Sequence, residues 1–439
     1  MISFASSKPL IDLIAQHKSG MALGIPSICS ANRFVVQACM NQYLSLHQPL
    51  LIESTCNQVN QFGGYTGLTP VEFTAYISSI ADELDFPQGR ILLGGDHLGP
   101  FPWKDEPVGQ AMQKSIELVQ AYVQAGYQKI HIDTSMHCAD DDHNHPLSTE
   151  IIAARAAQMI QAAEETLQRS NFGQPVYVIG TEVPTPGGAQ VGDGRLKVTS
   201  PAEAAETIEI FQRVFNSNGL QNAWRQVIAL VVQPGVEFGD DEIVYYDRDK
   251  ARSLSQFIEP IPGMVFEAHS TDYQKQYLLK QLVEDHFAIL KVGPALTFAF
   301  REAIFSLAHI EHDWLGRRKS VQLSRIIETI ERVMIENPAH WKKHYGENAD
   351  EASFSRVYSL SDRIRYYWSD NRVDESLQHL ISNLEKSPLP LTLLSQYMPC
   401  EHERVTNGEI KNHPTELIWS RIAEVVAGYL DACGEKGSK

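Results

Sequence analysis

The 439-residue sequence lacks several features that would place it in common protein classes. It has no uninterrupted apolar run long enough to cross a bilayer. Its first segment, Met1–Lys18, mixes charged and polar residues and lacks the apolar core of a signal peptide. The six cysteines are scattered without a C-x-x-C pair, which favours free thiols in a reducing compartment. We therefore expect a cytoplasmic protein that does not cross a membrane.

Positive charge is also scarce, with 37 lysines and arginines against 54 acidic residues and a formal net charge of −17. This balance argues against nucleic acid or an anionic membrane as a partner. It still allows a phosphate group to bind locally, since a few backbone amides and one cation suffice. No G-x-G-x-x-G segment follows the first predicted strand and no P-loop occurs, which argues against the usual dinucleotide and nucleotide folds.

What the sequence does contain, from about Met21 to Leu307, is an alternation of short apolar segments and amphipathic segments. Eight such units predict an α/β fold of the (β/α)₈ TIM-barrel type, with a doubly wound open sheet as the alternative. The strand rhythm then stops, so we predict a barrel over residues 1–317 and a helical C-terminal extension over 318–439 packed on it. The predicted strands are Met21–Ser27, Pro49–Ile52, Arg90–Gly95, Lys129–Ile132, Val176–Gly180, Val227–Val232, Met264–Phe266 and Phe287–Val292.

The third predicted strand carries the most informative segment. Apolar residues 91–93 indicate a strand covered on both faces, which we expect to break at Gly94 and Gly95. Asp96 and His97 follow directly. An acid beside an imidazole suits metal binding, proton transfer or both. A turn in which Asp96 caps the next element and His97 is half-buried is the alternative.

Further acids and imidazoles follow other strands of the predicted barrel. Asp133, Glu182 and His269 come after the fourth, fifth and seventh strands, and strand ends share one rim in a barrel. Two histidines and a carboxylate suit a divalent metal such as zinc. We predict His97, His269 and Glu182 as metal ligands, with Asp96 and Glu182 transferring protons. Helix caps or a rim salt bridge remain alternatives for the three later residues.

Two polar segments predict ligand contacts. Residues 57–65 are rich in amides, which are costly to bury unless they form hydrogen bonds. We expect this loop to contact a polyhydroxy ligand or another subunit, with a loop satisfied by its own bonds as the alternative. The loops after the last two strands predict a phosphate site, beside which Lys291 is either a rim cation or simply solvated. The predicted substrate-binding residues are Asn57, Gln58, Asn60, Gln61, Ser270 and Gly293.

Long, specific segments of the sequence carry a resemblance to a known family: Ile52–Thr55, Asn57–Gly67, Gly94–Pro100, Ile179–Pro184, Val232–Phe238, Glu267–Tyr273, Leu290–Phe298 and Tyr358–Trp368. On these segments, and over nearly its whole length, the sequence closely resembles the Z-type subunit of bacterial class II D-tagatose-1,6-bisphosphate aldolase. The resemblance implies a non-catalytic subunit that pairs with a separate catalytic class II aldolase and supports its activity and stability in a chaperone-like way. It also implies a role in galactitol or N-acetylgalactosamine catabolism, where tagatose bisphosphate is cleaved to glycerone phosphate and glyceraldehyde 3-phosphate.

The Z-type subunit is in turn similar to the catalytic class II aldolases, and this likeness implies individual roles. Asp96 matches their proton-transferring aspartate, while His97 and His269 match zinc ligands and Glu182 matches a glutamate near the metal. Those enzymes carry a further histidine after the sixth strand, where this chain has Gln233–Pro234–Gly235.

A second departure is Gly293, which stands where the catalytic enzymes have asparagine. Full aldolase chemistry is therefore not implied. An alternative is a metal-dependent 4-epimerase that interconverts tagatose 6-phosphate and fructose 6-phosphate, both phosphorylated ketohexoses, by retro-aldol chemistry. A tagatose-6-phosphate kinase ranks third, because the sequence has no P-loop.

Overall fold

Eight parallel strands close into a barrel in the computed structural model, which describes residues 4–181, 196–346 and 348–434. Neighbours in the chain are neighbours in the barrel, and the last strand pairs with the first. The predicted (β/α)₈ barrel is therefore confirmed. The barrel strands are β1 Ile25–Cys29, β2 Leu50–Thr55, β3 Ile91–Leu98, β4 Lys129–Ile132, β5 Val176–Gly180, β6 Val227–Val231, β9 Val265–Ala268 and β10 Phe287–Val292; the small hairpin β7 Glu237–Phe238 and β8 Ile243–Val244 lies between β6 and β9.

The third strand differs from its prediction, because β3 does not break at Gly94 and Gly95 but continues to Leu98. A β-carbon on Gly94 would lie 2.6 Å from atoms of the Glu53 side chain, so this glycine makes room for a neighbouring strand's acid. The register with β4 shifts between Gly95 and Leu98, and His97 adopts a positive φ of 50°. This irregularity lets consecutive side chains of β3 reach the inner face of the barrel.

Helices surround the barrel, and local capping explains where several begin. Thr69 forms a capping box with Glu72 at the predicted helix start before Pro70, and Ser200 does the same with Glu203. The helices are α1 Lys8–Lys18, α2 Arg33–Tyr43, α3 Pro70–Glu83, α4 Val108–Gln124, α5 Thr149–Leu167, α6 Pro201–Ser217, α7 Gln221–Trp224, α8 Arg248–Ile258, α9 Gln276–Glu284, α10 Pro294–Leu315, α11 Ile326–Glu336, α12 Ala349–Tyr358, α13 Asn371–Lys386, α14 Leu391–Tyr397, α15 Pro399–Thr406 and α16 Pro414–Ala432.

The first helix, α1, was not predicted. Its Leu10 and Ile14 belong to a buried cluster with Ile25, Leu51 and Leu92, which lie at the starts of barrel strands. The helix therefore closes the end of the barrel opposite the predicted site. Among the described helices, none combines the length and apolarity that crossing a bilayer requires.

The C-terminal part is helical, as predicted, and it covers the carboxyl ends of the strands. Tyr273 donates a hydrogen bond to the Leu360 carbonyl at 2.5 Å, and Thr297 donates one to the Asp362 carboxylate at 2.5 Å. A 3₁₀ turn, Arg363–Tyr366, follows directly. The C-terminal part of the chain, from residue 318 onward, therefore forms a roof over the rim. The domain boundary at residue 317 stays a prediction.

Candidate functional site

The inside of the barrel is crossed by a buried network of ion pairs. Lys129, on β4, is fully buried, and its Nζ lies 2.7 Å from a carboxylate oxygen of Glu53 and 2.7 Å from one of Glu267. Lys291, on β10, places its Nζ 2.5 Å from Glu53 and 2.6 Å from Asp96. Burial would lower the pKa of both lysines, but the surrounding carboxylates raise it overall. Both side chains are therefore ammonium ions shared between carboxylates.

Asp96 lies where this network meets the imidazoles. One carboxylate oxygen is 2.8 Å from His131 Nδ1, and the other is 3.5 Å from His97 Nε2. Burial would raise the pKa of Asp96, but His97 and Lys291 hold it well below its ordinary value. Asp96 is therefore an ionised carboxylate with no exposed surface, the protonation state that a proton acceptor requires.

Three imidazoles face one another beside Asp96. Their ring centroids are 5.2 Å apart for His97 and His131, 4.9 Å for His97 and His269, and 5.3 Å for His131 and His269. His97 Nδ1 lies 2.9 Å from Asp133; burial would lower the pKa of His97, but Asp96 and Asp133 raise it overall. Burial lowers the pKa of His269 to about 4, against the opposing effect of a nearby glutamate. His269 is therefore neutral at physiological pH, the form that binds metals.

Four of these side chains could hold a divalent cation. Asp96, His131, Glu267 and His269 each offer one ligand atom, and these atoms lie within 4.8 Å of one another. His131 Nε2 is buried without a hydrogen-bond partner among the described residues, so this nitrogen is available as a metal ligand. Two imidazoles and two carboxylates fit a divalent transition metal. A bound cation would compete with the two lysines for the carboxylates.

His131 and Lys129 were missed in the sequence analysis. The segment Lys129–Ile132 alternates polar and apolar residues, and side chains two apart lie on the same face of a strand. The polar pair therefore faces the barrel interior, a signal that was present in the sequence. His97 lies beside the four-residue set, with its Nε2 3.5 Å from Asp96, but it is not a member of the set, and its Nδ1 contacts Asp133. Its role as a metal ligand stays a prediction. Glu182 lies outside the described residues.

A cavity of about 390 Å³ opens above this network. Asp96, His97, His269 and Lys291 line its inner end. The roof segment contributes a wall that the sequence analysis did not predict, formed by Arg365, Tyr366 and Trp368. The only sequence signal for this wall was that it falls within one of the segments matching the Z-type subunits. Of the predicted substrate-binding residues, Gln58, Ser270 and Gly293 also line the cavity.

The amide-rich loop uses much of its hydrogen-bonding capacity internally. The Asn60 side chain donates to the Cys56 carbonyl at 2.9 Å and accepts from the backbone of Phe62 at 2.9 Å. Gln61 donates to the Lys114 carbonyl at 2.9 Å. Asn57, Asn60 and Gln61 are not among the described residues that line the cavity. A contact of these three with substrate stays a prediction without geometric support.

The loops after the last two strands place a carboxylate where a phosphate was expected. Asp272 Oδ1 accepts hydrogen bonds from the backbone N–H groups of Gly293 and Ala295, at 3.0 and 2.8 Å, at the start of α10. Burial raises the pKa of Asp272 to about 6, although these two donors act in the opposite direction. The N-terminus of α10 is thus capped by the protein's own acid.

The segment after β6 supplies no imidazole. The Gln233 side-chain oxygen accepts from the backbone N–H groups of Gly235 and Val236, at 2.8 and 3.0 Å, and so closes a turn. Pro234 has no ligand atom in its side chain. The histidine of the catalytic class II aldolases therefore has no equivalent at this strand end.

The chain is similar to known proteins in sequence and in fold. A family model described as D-tagatose-1,6-bisphosphate aldolase subunit GatZ/KbaZ-like matches residues 10–434. A crystal structure of a probable tagatose 6 phosphate kinase from Sinorhizobium meliloti 1021 is 44% identical, with a TM-score of 0.85, and the match covers 93% of this chain and 100% of that chain. Fructose-bisphosphate aldolase from Campylobacter jejuni is 12% identical with a TM-score of 0.46, over 91% and 96% of the two chains.

Proposed function

The chain belongs to the GatZ/KbaZ-like family of D-tagatose-1,6-bisphosphate aldolase subunits, and from this premise we propose that it pairs with a separate catalytic class II aldolase subunit. In this role it raises the activity and stability of its partner in a chaperone-like way. The complex acts in the cytoplasm, in the degradation of tagatose 6-phosphate, and yields glycerone phosphate and glyceraldehyde 3-phosphate. Galactitol and N-acetylgalactosamine are the proposed sources of the sugar.

The observation that supports a non-catalytic role in aldol cleavage is the end of β6. The side-chain oxygen of Gln233 accepts a backbone hydrogen bond that closes a turn, and the next residue is Pro234. In addition, Lys291 and Lys129 already neutralise the carboxylates of the inner network. A site without the histidine after β6, and with its carboxylates paired to lysines, differs from the zinc site of the catalytic enzymes. We therefore assign bisphosphate cleavage to the partner.

The test is a mixing experiment. The chain is purified alone, supplied in turn with Zn²⁺, Mn²⁺ and Mg²⁺, and assayed for cleavage of tagatose 1,6-bisphosphate. The same assay then follows a catalytic class II subunit with and without the chain, including the half-life of its activity. We expect no cleavage by the chain alone and a longer half-life with it. Cleavage by the chain alone, or an unchanged half-life, would contradict the proposal.

A second function is favoured by the cavity itself, because an ionised Asp96 and His269, two members of the four-residue set, line a space large enough for a sugar phosphate. This function is 4-epimerisation of a ketohexose 6-phosphate. Asp96 takes the proton of the C4 hydroxyl, and the C3–C4 bond breaks to give an aldehyde and an enediolate. The aldehyde then rotates so that the opposite face of its carbonyl group meets the enediolate. The C3–C4 bond then re-forms on the other face, and Asp96 returns the proton to the new C4 oxygen.

When Asp96 carries the proton, His131, Glu267 and His269 are the members of the four-residue set that would hold a divalent metal, for which we propose Zn²⁺. Such a metal would supply Lewis acidity toward a sugar oxygen. Within this activity, Asp96 carries the proton, and His97, whose Nε2 lies 3.5 Å away, orients its carboxylate. Asp96→Asn is expected to reduce epimerisation at least about 100-fold. An unchanged rate in this variant would remove the second function.

A further inference from the structure

Arg365 differs from the other cations that line the cavity. Lys291 contacts two carboxylates, and Arg33 pairs with Glu83. The Arg365 guanidinium instead donates to the backbone carbonyls of Ser361 and Asp362 and, at 3.0 Å, to the Tyr366 hydroxyl. Among the described residues, none of its hydrogen bonds goes to a carboxylate.

The surroundings of Arg365 hold it in place without a hydrogen bond to a carboxylate of the described residues. Tyr366 stacks on His340 with ring centroids 4.8 Å apart, and it also contacts the ring of Tyr65 at 4.8 Å. The adjacent Arg363 is buried and donates to the His340 carbonyl at 3.1 Å. Of these two guanidinium groups, only that of Arg365 is among the described residues that line the cavity. The buried Asp362 carboxylate attracts it electrostatically but accepts a hydrogen bond from Thr297, so Arg365 keeps guanidinium N–H groups for a ligand anion.

The usual anion site of a barrel is not free in this chain. Barrel enzymes often hold phosphate at the loops after the last strands and at a helix N-terminus. Here Asp272 accepts from the two backbone N–H groups at the start of α10. A second anion at those amides would meet this carboxylate, so a phosphate in the cavity needs another cationic contact. Asp272, after β9, and Asp374, on α13, also line the cavity, so a phosphate is expected beside Arg365 and away from these two carboxylates.

We propose that Arg365, carried by the C-terminal roof, binds the phosphate ester of a phosphorylated ketohexose whose reacting carbons lie near Asp96. The proposal rests on the second proposed function for the identity of the sugar. A guanidinium forms paired, charge-assisted hydrogen bonds with phosphate, and its bonds to Ser361 and Asp362 fix its position beforehand. The helical extension would thus supply a specificity residue that the barrel itself lacks.

The test compares two arginine variants by calorimetric titration with D-tagatose 6-phosphate and with unphosphorylated D-tagatose. Arg365→Gln should weaken binding of the phosphorylated sugar at least about tenfold and leave binding of the free sugar within about twofold. Arg365→Lys should recover part of the loss, because the charge remains. The control is Arg372→Gln, which removes the same charge from an exposed residue of the roof that pairs with Asp370 and Glu336.

Three results would overturn the proposal. They are a wild-type chain that does not bind D-tagatose 6-phosphate, an Arg365→Gln variant with unchanged affinity for it, and equal losses for the two sugars. Thermal unfolding of each variant shows whether the fold is retained. If Arg365→Gln is unfolded, the titration of Arg365→Lys decides. An affinity for D-tagatose 6-phosphate equal to that of the wild type, with an equal dependence of that affinity on salt, counts against the proposal. The effect of the chain on a catalytic partner is measured in a separate experiment. A wild-type chain that binds D-tagatose 6-phosphate but does not epimerise it would remove the second function alone.

Discussion

The barrel interior and the roof treat positive charge in opposite ways. Inside the barrel, Lys129 and Lys291 each contact two carboxylates, and both lysines are more than nine-tenths buried. In the roof, Arg363 and Arg365 donate to carbonyl and hydroxyl oxygens. The interior is therefore balanced before any ligand arrives, whereas the roof keeps positive charge available. We infer that the paired interior serves stability and orientation, and that Arg365 in the roof serves recognition.

The largest effect is expected from breaking the interior network. Lys129→Met leaves Glu53 and Glu267 buried without one of their ammonium partners. We expect the free energy of unfolding to fall by about 3–5 kcal/mol, since breaking a buried ion pair leaves uncompensated charge. Urea unfolding measures the change.

The matched control is Lys8→Met. Lys8 forms an exposed pair with Asp12 at 2.8 Å, and such surface pairs contribute at most about 1 kcal/mol. If the two methionine variants lost similar stability, the contrast between a paired interior and an ordinary surface would not hold.

The next effect concerns metal affinity. His131→Gln removes the imidazole whose Nε2 is buried without a partner among the described residues. We expect affinity for Zn²⁺ to fall by at least about tenfold, because glutamine is a weaker zinc ligand than histidine. The absorption of bound Co²⁺ and the metal-induced rise in Tm report the change without an activity assay. His145→Gln, on an exposed loop residue, is the control; equal affinities would remove His131 from the site.

A smaller, pH-dependent effect is expected at the junction of barrel and roof. Burial raises the pKa of Asp272 to about 6, above the value of about 3.9 in an unfolded chain. The folded state thus binds the proton more tightly, so the stability that Asp272 contributes is present below pH 4 and is lost as the pH rises to 6. Asp272→Asn stays neutral, so relative to wild type it should gain about 1–2 kcal/mol between pH 4 and pH 7. A constant difference across this range would be the contrary result.

The smallest effect is expected from one hydrogen bond between barrel and roof. Tyr273→Phe removes the donor to the Leu360 carbonyl. We expect a loss of about 0.5–1.5 kcal/mol in unfolding free energy, the usual contribution of such a bond, measured by thermal unfolding. Tyr277→Phe is the control, because Tyr277 is 58% exposed. A loss for Tyr273→Phe no larger than that of the control would show that this contact does not hold the roof.

The barrel could be predicted because its local signals agree with its tertiary structure. Lys129–Ile132 and Phe287–Val292 are strands at their predicted bounds, and α3 begins at Pro70 behind the predicted Thr69 cap. The helix α1 was missed because its apolar face, with Leu10 and Ile14, packs against the end of the barrel. This contact is formed only in the tertiary structure.

The site could be predicted only in part. Asp96 and His269 stand out in sequence because acids and imidazoles at strand ends are brought together by any barrel. His131 was overlooked because a four-residue strand was interpreted as apolar, although its polar residues alternate. Arg365 lies about 270 residues after Asp96, and no local pattern places a distant turn over a barrel rim. The polarity of the amide-rich loop allowed two interpretations, and both have members in the structure: Asn60 bonds to the backbone of its own loop, whereas Gln58 lines the cavity.

The most direct test of the account asks whether the chain's support of its partner depends on its own ion network. Asp96→Asn, nearly identical in size to the native residue, is mixed with a catalytic class II aldolase subunit, and the half-life of bisphosphate cleavage is followed. We expect a half-life equal to that obtained with the wild-type chain, since support comes from association and not from chemistry at Asp96. A folded Asp96→Asn chain that associates but no longer prolongs the partner's activity would contradict it.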